Sequence, residues 1–120
     1  MYLRNSWYVA AWDREVTRAL LARTLLDQPI VLYRKEDGMP VALEDRCCHR
    51  QLPLSMGTLV RDSLRCGYHG LRFDASGKCI EIPGQASIPP QARVRSFRVV
   101  ERFNLMQCIP QTAGNKRRFA

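Results

Sequence analysis

Two short segments of this sequence each place a cysteine beside a histidine, and they constrain the chain more than any other feature. The first spans residues 46–50 and reads RCCHR, and the second spans residues 66–70 and reads CGYHG. Sixteen residues separate His49 from Cys66, and both histidines of the chain lie in these two segments. Thiolate and imidazole groups are the ligands that zinc and iron–sulfur centres use. The pattern therefore predicts a metal centre bound by two loops.

The four candidate ligands are Cys47, His49, Cys66 and His69, and two kinds of centre remain open for them. A Cys₂His₂ set can hold tetrahedral zinc, but zinc fingers usually take both cysteines from one segment and both histidines from another. Here each segment supplies one of each. A two-iron cluster accounts for this directly, because one iron takes both thiolates and the other takes both imidazoles. A zinc-stabilised module remains the distant alternative.

Cysteine count and charge narrow the class of protein further. Five cysteines are an odd number, which argues against a disulfide framework and for metal ligation. The net charge is +8, but no motif that reads nucleic acid accompanies it, so we expect no nucleic-acid partner. An acidic redox partner explains the basic charge better, because complementary charge speeds encounter.

Hydropathy gives no reason to place the chain in or across a membrane. No apolar run approaches the roughly 20 residues that a membrane helix needs. The opening residues lack the apolar stretch and small-residue cleavage site of a signal peptide. We therefore expect no membrane partner and a cytoplasmic location.

Short strand patterns separated by close turns run through the sequence. Asp37-Gly38 is a strong hairpin signal, a second hairpin is expected around residues 75–77, and Asp13 is expected to cap one helical turn over 13–17. These patterns predict an all-β sandwich or small barrel over residues 1–110, followed by a patternless tail over 111–120. The predicted strands cover residues 7–10, 24–26, 30–33, 41–43, 71–73, 78–82, 95–102 and 105–109.

Beyond the ligand pattern, a wider set of segments resembles one family. The segments read NSWYVA (5–10), DRCCHR (45–50), PLSMG (53–57), CGYHGLRFD (66–74) and EIPGQ (81–85). They are similar to the N-terminal domain of Rieske non-haem iron aromatic-ring oxygenases, in the phthalate dioxygenase and vanillate O-demethylase branch. The likeness covers residues 2 to about 105. It implies a Rieske-type β-sandwich with two cluster-binding hairpin loops and a [2Fe–2S] cofactor.

The resemblance also implies a role for each ligand. Cys47 and Cys66 would bind the inner iron, and His49 and His69 the outer one. Tyr68 matches a position whose hydroxyl group lies near a ligand sulfur in related clusters, although a packed aromatic side chain explains it equally well.

Other residues around the two segments have simpler expected roles. Gly67 and Gly70 suit a tight turn around the cluster, and Pro53 and Gly57 a covering turn. Core positions are expected for the three further cysteines, Cys48, Cys79 and Cys108. Respiratory Rieske proteins join their loops by a disulfide, but Leu52 and Tyr68 occupy those positions here.

Arg46, Arg50 and Arg65 flank the ligands. They form either a solvated basic face or an electrostatic site. In the second case they would favour the reduced, anionic cluster and attract an acidic donor.

The oxygenases of this family have a second domain with an iron bound by two histidines and a carboxylate. The present chain has two histidines, and the cluster would use both. We therefore expect the electron-relay domain of an oxygenase, truncated, which does not oxygenate substrate alone. The alternative is a free-standing Rieske ferredoxin. The resemblance implies a reductase or ferredoxin as electron donor, a catalytic domain in cis or in trans, and a homotrimer for the full-length protein.

Overall fold

The computed structural model describes residues 6–48, 52–67 and 70–110. Within them the chain forms strands and two single turns of 3₁₀ helix, Asp13–Glu15 and Leu54–Met56. The all-β prediction is confirmed. The strands are β1 (Tyr8–Trp12), β2 (Leu21–Leu25), β3 (Gln28–Arg34), β4 (Pro40–Glu44), β5 (Thr58–Val60), β6 (Ser63–Arg65), β7 (Arg72–Phe73), β8 (Cys79–Glu81), β9 (Ser96–Arg102) and β10 (Leu105–Ile109).

Two antiparallel sheets make up the fold. The larger has the order β1-β10-β9-β4-β3-β2, and the smaller has the order β5-β6-β7-β8. The larger sheet curls until its two edge strands meet, where the Nε of Arg23 on β2 donates to the carbonyl oxygen of Ala10 on β1 at 3.1 Å. The result is a nearly closed barrel with a small sheet packed beside it.

Strands β3 and β4 lie between two hydrophobic cores, because alternate side chains point to opposite faces of a strand. Ile30 and Leu32 face the barrel core together with Phe97 and other residues of β1, β9 and β10. Val31 and Leu43 face a second core, which includes residues of the small sheet and the cysteines Cys47 and Cys66. This second core joins the two sheets and contains the two predicted cysteine ligands.

Both predicted hairpins form. Between β3 and β4 the N–H of Lys35 donates to the carbonyl oxygen of Met39 at 2.9 Å, and Gly38 takes a φ of +92°. Between β7 and β8 Gly77 takes a φ of +90°. In both turns glycine supplies a left-handed conformation that other residues adopt only at a cost.

One local prediction was wrong, and one hairpin was missed. The helical turn is confined to Asp13–Glu15, and Asp13 does not cap it; instead the N–H of Trp12 donates to the carboxylate of Glu15 at 2.8 Å. Strands β5 and β6 were not predicted at all. Their connecting turn places Arg61 at a φ of +58°, without the glycine that normally marks such a turn. The predicted tail over 111–120 lies outside the described residues.

Candidate metal centre

The first predicted ligand, Cys47, lies just beyond the end of β4. Its backbone N–H donates to the carbonyl oxygen of Leu52 at 2.7 Å, which closes a short loop. The side chain belongs to the core between the two sheets, and the residue is 2% exposed. The fold therefore holds this thiol in the core at the start of the loop.

Cys66 lies just beyond the end of β6 and is 3% exposed. Its N–H donates to the carbonyl oxygen of Leu71 at 2.7 Å, and its own carbonyl oxygen accepts the N–H of Gly70 at 3.2 Å. Gly70 has a φ of +78°, so the tight turn predicted at this glycine is present.

The two loops thus close in the same way, by a hydrogen bond from the cysteine to the fifth residue after it. His49 falls within residues 47–52, and His69 within residues 66–71. Both histidines lie outside the described residues, as do Arg50, Gln51 and Tyr68. The described part of the chain accordingly contains no group of three or more His, Cys, Asp or Glu side chains arranged to bind a metal.

Backbone contacts bring the two loops together. A Cβ added to Gly57 would lie 2.0 Å from the carbonyl oxygen of Arg65, and one added to Gly67 would lie 2.9 Å from that of Met56. Both distances are shorter than real Cβ atoms show. The residues on either side of Cys66 therefore touch the chain segment that returns from the Cys47 loop.

The other three cysteines differ in burial. Cys79 and Cys108 are fully buried, as predicted, whereas Cys48 is half-buried at the edge of the core that contains Cys47. A hydrogen bond with the Cys47 side chain, together with burial, raises the pKa of the Cys48 thiol above its ordinary value. Burial likewise raises the pKa of Cys79. All five cysteines lie in the described residues, and none of them forms a disulfide.

The surface around the loops combines basic and apolar groups. Arg46 and Arg65 are exposed, each one residue before a predicted cysteine ligand. Met56 is 77% exposed and Leu52 is 38% exposed. The described part of this surface offers positive charge beside uncovered apolar side chains.

A profile of the Rieske [2Fe–2S] domain matches residues 6–100 of the chain. The chain belongs to this family. Domains of this family bind a [2Fe–2S] cluster, and the described residues fit one. Two buried thiols project from loops that close identically, and glycines allow the loops to touch.

Comparison with individual relatives narrows the type of Rieske protein. The chain is 54% identical over 107 residues to the iron-sulfur subunit of the toluene-4-sulfonate monooxygenase system of Comamonas testosteroni, covering 88% of this chain and 31% of the relative. It is 49% identical over 110 residues to the oxygenase component of dicamba O-demethylase from Stenotrophomonas maltophilia, covering 91% and 32%. The chain thus spans about a third of the length of these relatives.

The fold agrees with the same group. The crystal structure of apo dicamba monooxygenase superimposes with a TM-score of 0.89 at 46% identity, covering 98% of this chain and 37% of that one. The chain corresponds to the Rieske domain of an oxygenase component, and its role is electron relay. None of the helices in the described ranges is long and apolar enough to cross a membrane.

Proposed function

We propose that Cys47, His49, Cys66 and His69 hold the [2Fe–2S] cluster, with both cysteines on one iron and both histidines on the other. The matched closure of the two loops carries this assignment, because it gives each loop one buried thiol and one imidazole position. When bound, the cluster supplies one-electron chemistry. The protein's part is to bury the thiolates, hold the two loops at a fixed spacing and limit access of water.

The relay would serve an oxygenase catalytic domain in the same chain or a separate one. A mononuclear iron site of the 2-His-1-carboxylate type needs two histidines. Residues 1–120 contain two in all, and the cluster uses both. These residues alone should therefore cycle electrons without oxygenating an aromatic compound. One relative is named as an oxygenase component and another as a subunit of a monooxygenase system, and these names support a multi-component system.

The electron donor would be an acidic reductase or ferredoxin that docks over the two loops. Arg46 and Arg65 supply positive charge there, and Met56 supplies exposed apolar area. Two ferric ions, two sulfides and two thiolates sum to zero charge, so the reduced cluster is anionic. The same arginines would stabilise that reduced form. A cytoplasmic location and a homotrimeric full-length assembly complete the proposal.

Metal analysis of the freshly purified protein tests the assignment. We expect about two irons and two acid-labile sulfides per chain, with Rieske-type visible absorption and electron paramagnetic resonance. Stoichiometric zinc without sulfide would overturn it.

Supplying reductant, oxygen and aromatic acids should give no oxygenated product, and product formation would contradict the argument from the histidine count.

A further inference from the structure

A buried carboxyl group lies two residues before the first ligand. Asp45 is 8% exposed, and its backbone N–H donates to the carbonyl oxygen of Pro29 at 3.0 Å. Its Oδ1 accepts the N–H of Ser55 at 2.6 Å, and its Oδ2 accepts the hydroxyl group of Ser55 at 2.7 Å. Both side-chain oxygens thus bind one residue of the 3₁₀ turn Leu54–Met56.

That turn is the segment that touches the second loop. Met56 and Gly57 follow Ser55 directly, and the backbone at these two residues meets the backbone at Arg65 and Gly67. Those two residues flank Cys66 on either side. A continuous path therefore leads from Asp45, beside the Cys47 loop, through Ser55 to the Cys66 loop.

Two kinds of interaction hold the turn in place. Leu54 is fully buried in the core, but apolar burial is non-directional and does not by itself fix the orientation of the turn. The two hydrogen bonds to Asp45 fix its direction. A buried polar group left without partners is costly, so the carboxyl group and Ser55 favour this single arrangement.

We propose that Asp45, acting through Ser55, is a positioning residue that sets the spacing between the two cluster-binding loops. Its effect reaches the cluster through the turn and the backbone at Arg65 and Gly67, and not through contact with the iron. The inference rests on the proposed ligand set. It assigns a function to two residues that the ligand motif alone does not explain.

The chain supplies a matched control in the hairpin turn between β7 and β8. There Asp74 Oδ1 accepts the N–H of Ser76 at 3.0 Å and its hydroxyl group at 2.7 Å. Ser76 contributes the same two groups as Ser55, and Asp74 Oδ1 also accepts the N–H of Lys78 at 3.1 Å. The turn that Asp74 holds packs against Val94 instead of a ligand loop.

The experiment compares Asp45→Ala, Ser55→Ala and Asp74→Ala in the cluster-loaded protein. Two quantities are measured: the rate at which an iron chelator bleaches the visible absorption, and the g-values and line widths of the reduced protein. We expect Asp45→Ala to accelerate cluster loss about tenfold and to shift or broaden the resonance, since hydrogen bonds to a charged group are lost. Ser55→Ala keeps the backbone bond, so an acceleration of about threefold is expected.

Asp45→Asn tests the hydrogen bonds themselves. An amide can accept the N–H of Ser55 with its oxygen and donate to the hydroxyl oxygen with its nitrogen. This variant keeps both hydrogen bonds but loses the charge that strengthens them, so its rate of cluster loss should lie between those of wild type and Asp45→Ala. Asp74→Ala should lower the thermal midpoint while leaving both cluster measurements at wild-type values.

The proposal is overturned if Asp45→Ala and Ser55→Ala match Asp74→Ala in both measurements. If Asp45→Ala does not fold, the comparison of Ser55→Ala with Asp74→Ala in both measurements tests the proposal by itself. Cys66→Ser in the same series separates this inference from the ligand assignment. If Cys66→Ser retains a full cluster, the ligand set is wrong; if it loses the cluster while Asp45→Ala behaves as wild type, only the positioning role fails.

Discussion

Gly57 lies so close to the carbonyl oxygen of Arg65 that a Cβ on Gly57 would stand 2.0 Å from that oxygen. The φ of Gly57 is −93°, a conformation open to any residue, so the glycine is needed for space and not for backbone freedom. The returning segment of one ligand loop and the strand leading into the other are therefore in backbone contact.

Gly57→Ala should force the two loops apart. We expect the free energy of unfolding to fall by about 3 kcal/mol, since neither backbone can yield as a side chain would. Urea denaturation measures this loss, and iron content measures the accompanying loss of cluster. Gly38→Ala is the control: its added Cβ meets nothing within 4 Å, but its φ is +92°, so it should cost about 1 kcal/mol of strain alone. Equal losses of unfolding free energy in the two variants would refute the steric clash with the carbonyl oxygen of Arg65.

The ligand assignment makes a prediction about individual thiols. Cys66→Ser and His69→Ala should abolish the cluster and destabilise the fold, because ligation is coupled to folding. Cys48→Ser should keep it, since Cys48 is half-buried and is a neighbour of the assigned ligand Cys47. Iron and sulfide stoichiometry of the purified variants gives the result. If Cys48→Ser loses iron while Cys47→Ser retains it, the assigned register is off by one.

Much of the fold could be predicted because its strands alternate clearly and its turns carry glycine. The hairpins at Gly38 and Gly77 are examples. The β5–β6 hairpin could not be predicted in this way. Its turn uses Arg61 in a left-handed conformation, and each of its strands has three residues, too few for a clear alternation.

One part of the candidate site could likewise be predicted from the local sequence, whereas another part is visible only in the tertiary structure. Cysteine and histidine spacing predicts the four ligands because metal chemistry restricts the residue types. Asp45 and Ser55 lie in segments that resemble the family, but their residue types alone indicate no role, because aspartate and serine occur in many turns. Only the tertiary structure shows that both side-chain oxygens of Asp45 meet Ser55 and that the turn touches the second loop.

Burial of a thiol far from the ligand loops predicts a pH dependence of stability. Burial raises the pKa of Cys108 to about 12 from an ordinary value of 9.0. Between these values the unfolded chain binds fewer protons than the folded one, so stability is full below pH 9 and falls as the pH rises towards 12. From pH 8 to pH 10 the unfolding free energy of wild type should fall by about 1.4 kcal/mol more than that of Cys108→Ala.

Urea titrations of both proteins at each pH test this difference. The cavity left by Cys108→Ala costs stability at every pH and therefore cancels from the comparison. Tyr33, whose pKa burial also raises, is present in both proteins. Parallel pH profiles for the two proteins would show that the buried thiol is not responsible.

Donor docking over the ligand loops predicts a charge effect on electron entry. Reversing Arg46 and Arg65 together to glutamate should slow reduction by an acidic plant-type [2Fe–2S] ferredoxin about tenfold or more at low salt, because complementary charge raises the encounter rate. The difference should shrink as added salt screens the charges. Stopped-flow absorbance measures the rate.

A matched reversal of Arg98 and Arg102, exposed on β9 away from the loops, gives the same net charge. Midpoint potentials of all variants separate a changed driving force from changed docking. If both double variants slow reduction equally, the donor responds to net charge, and the docking surface over the Cys47 and Cys66 loops is wrong.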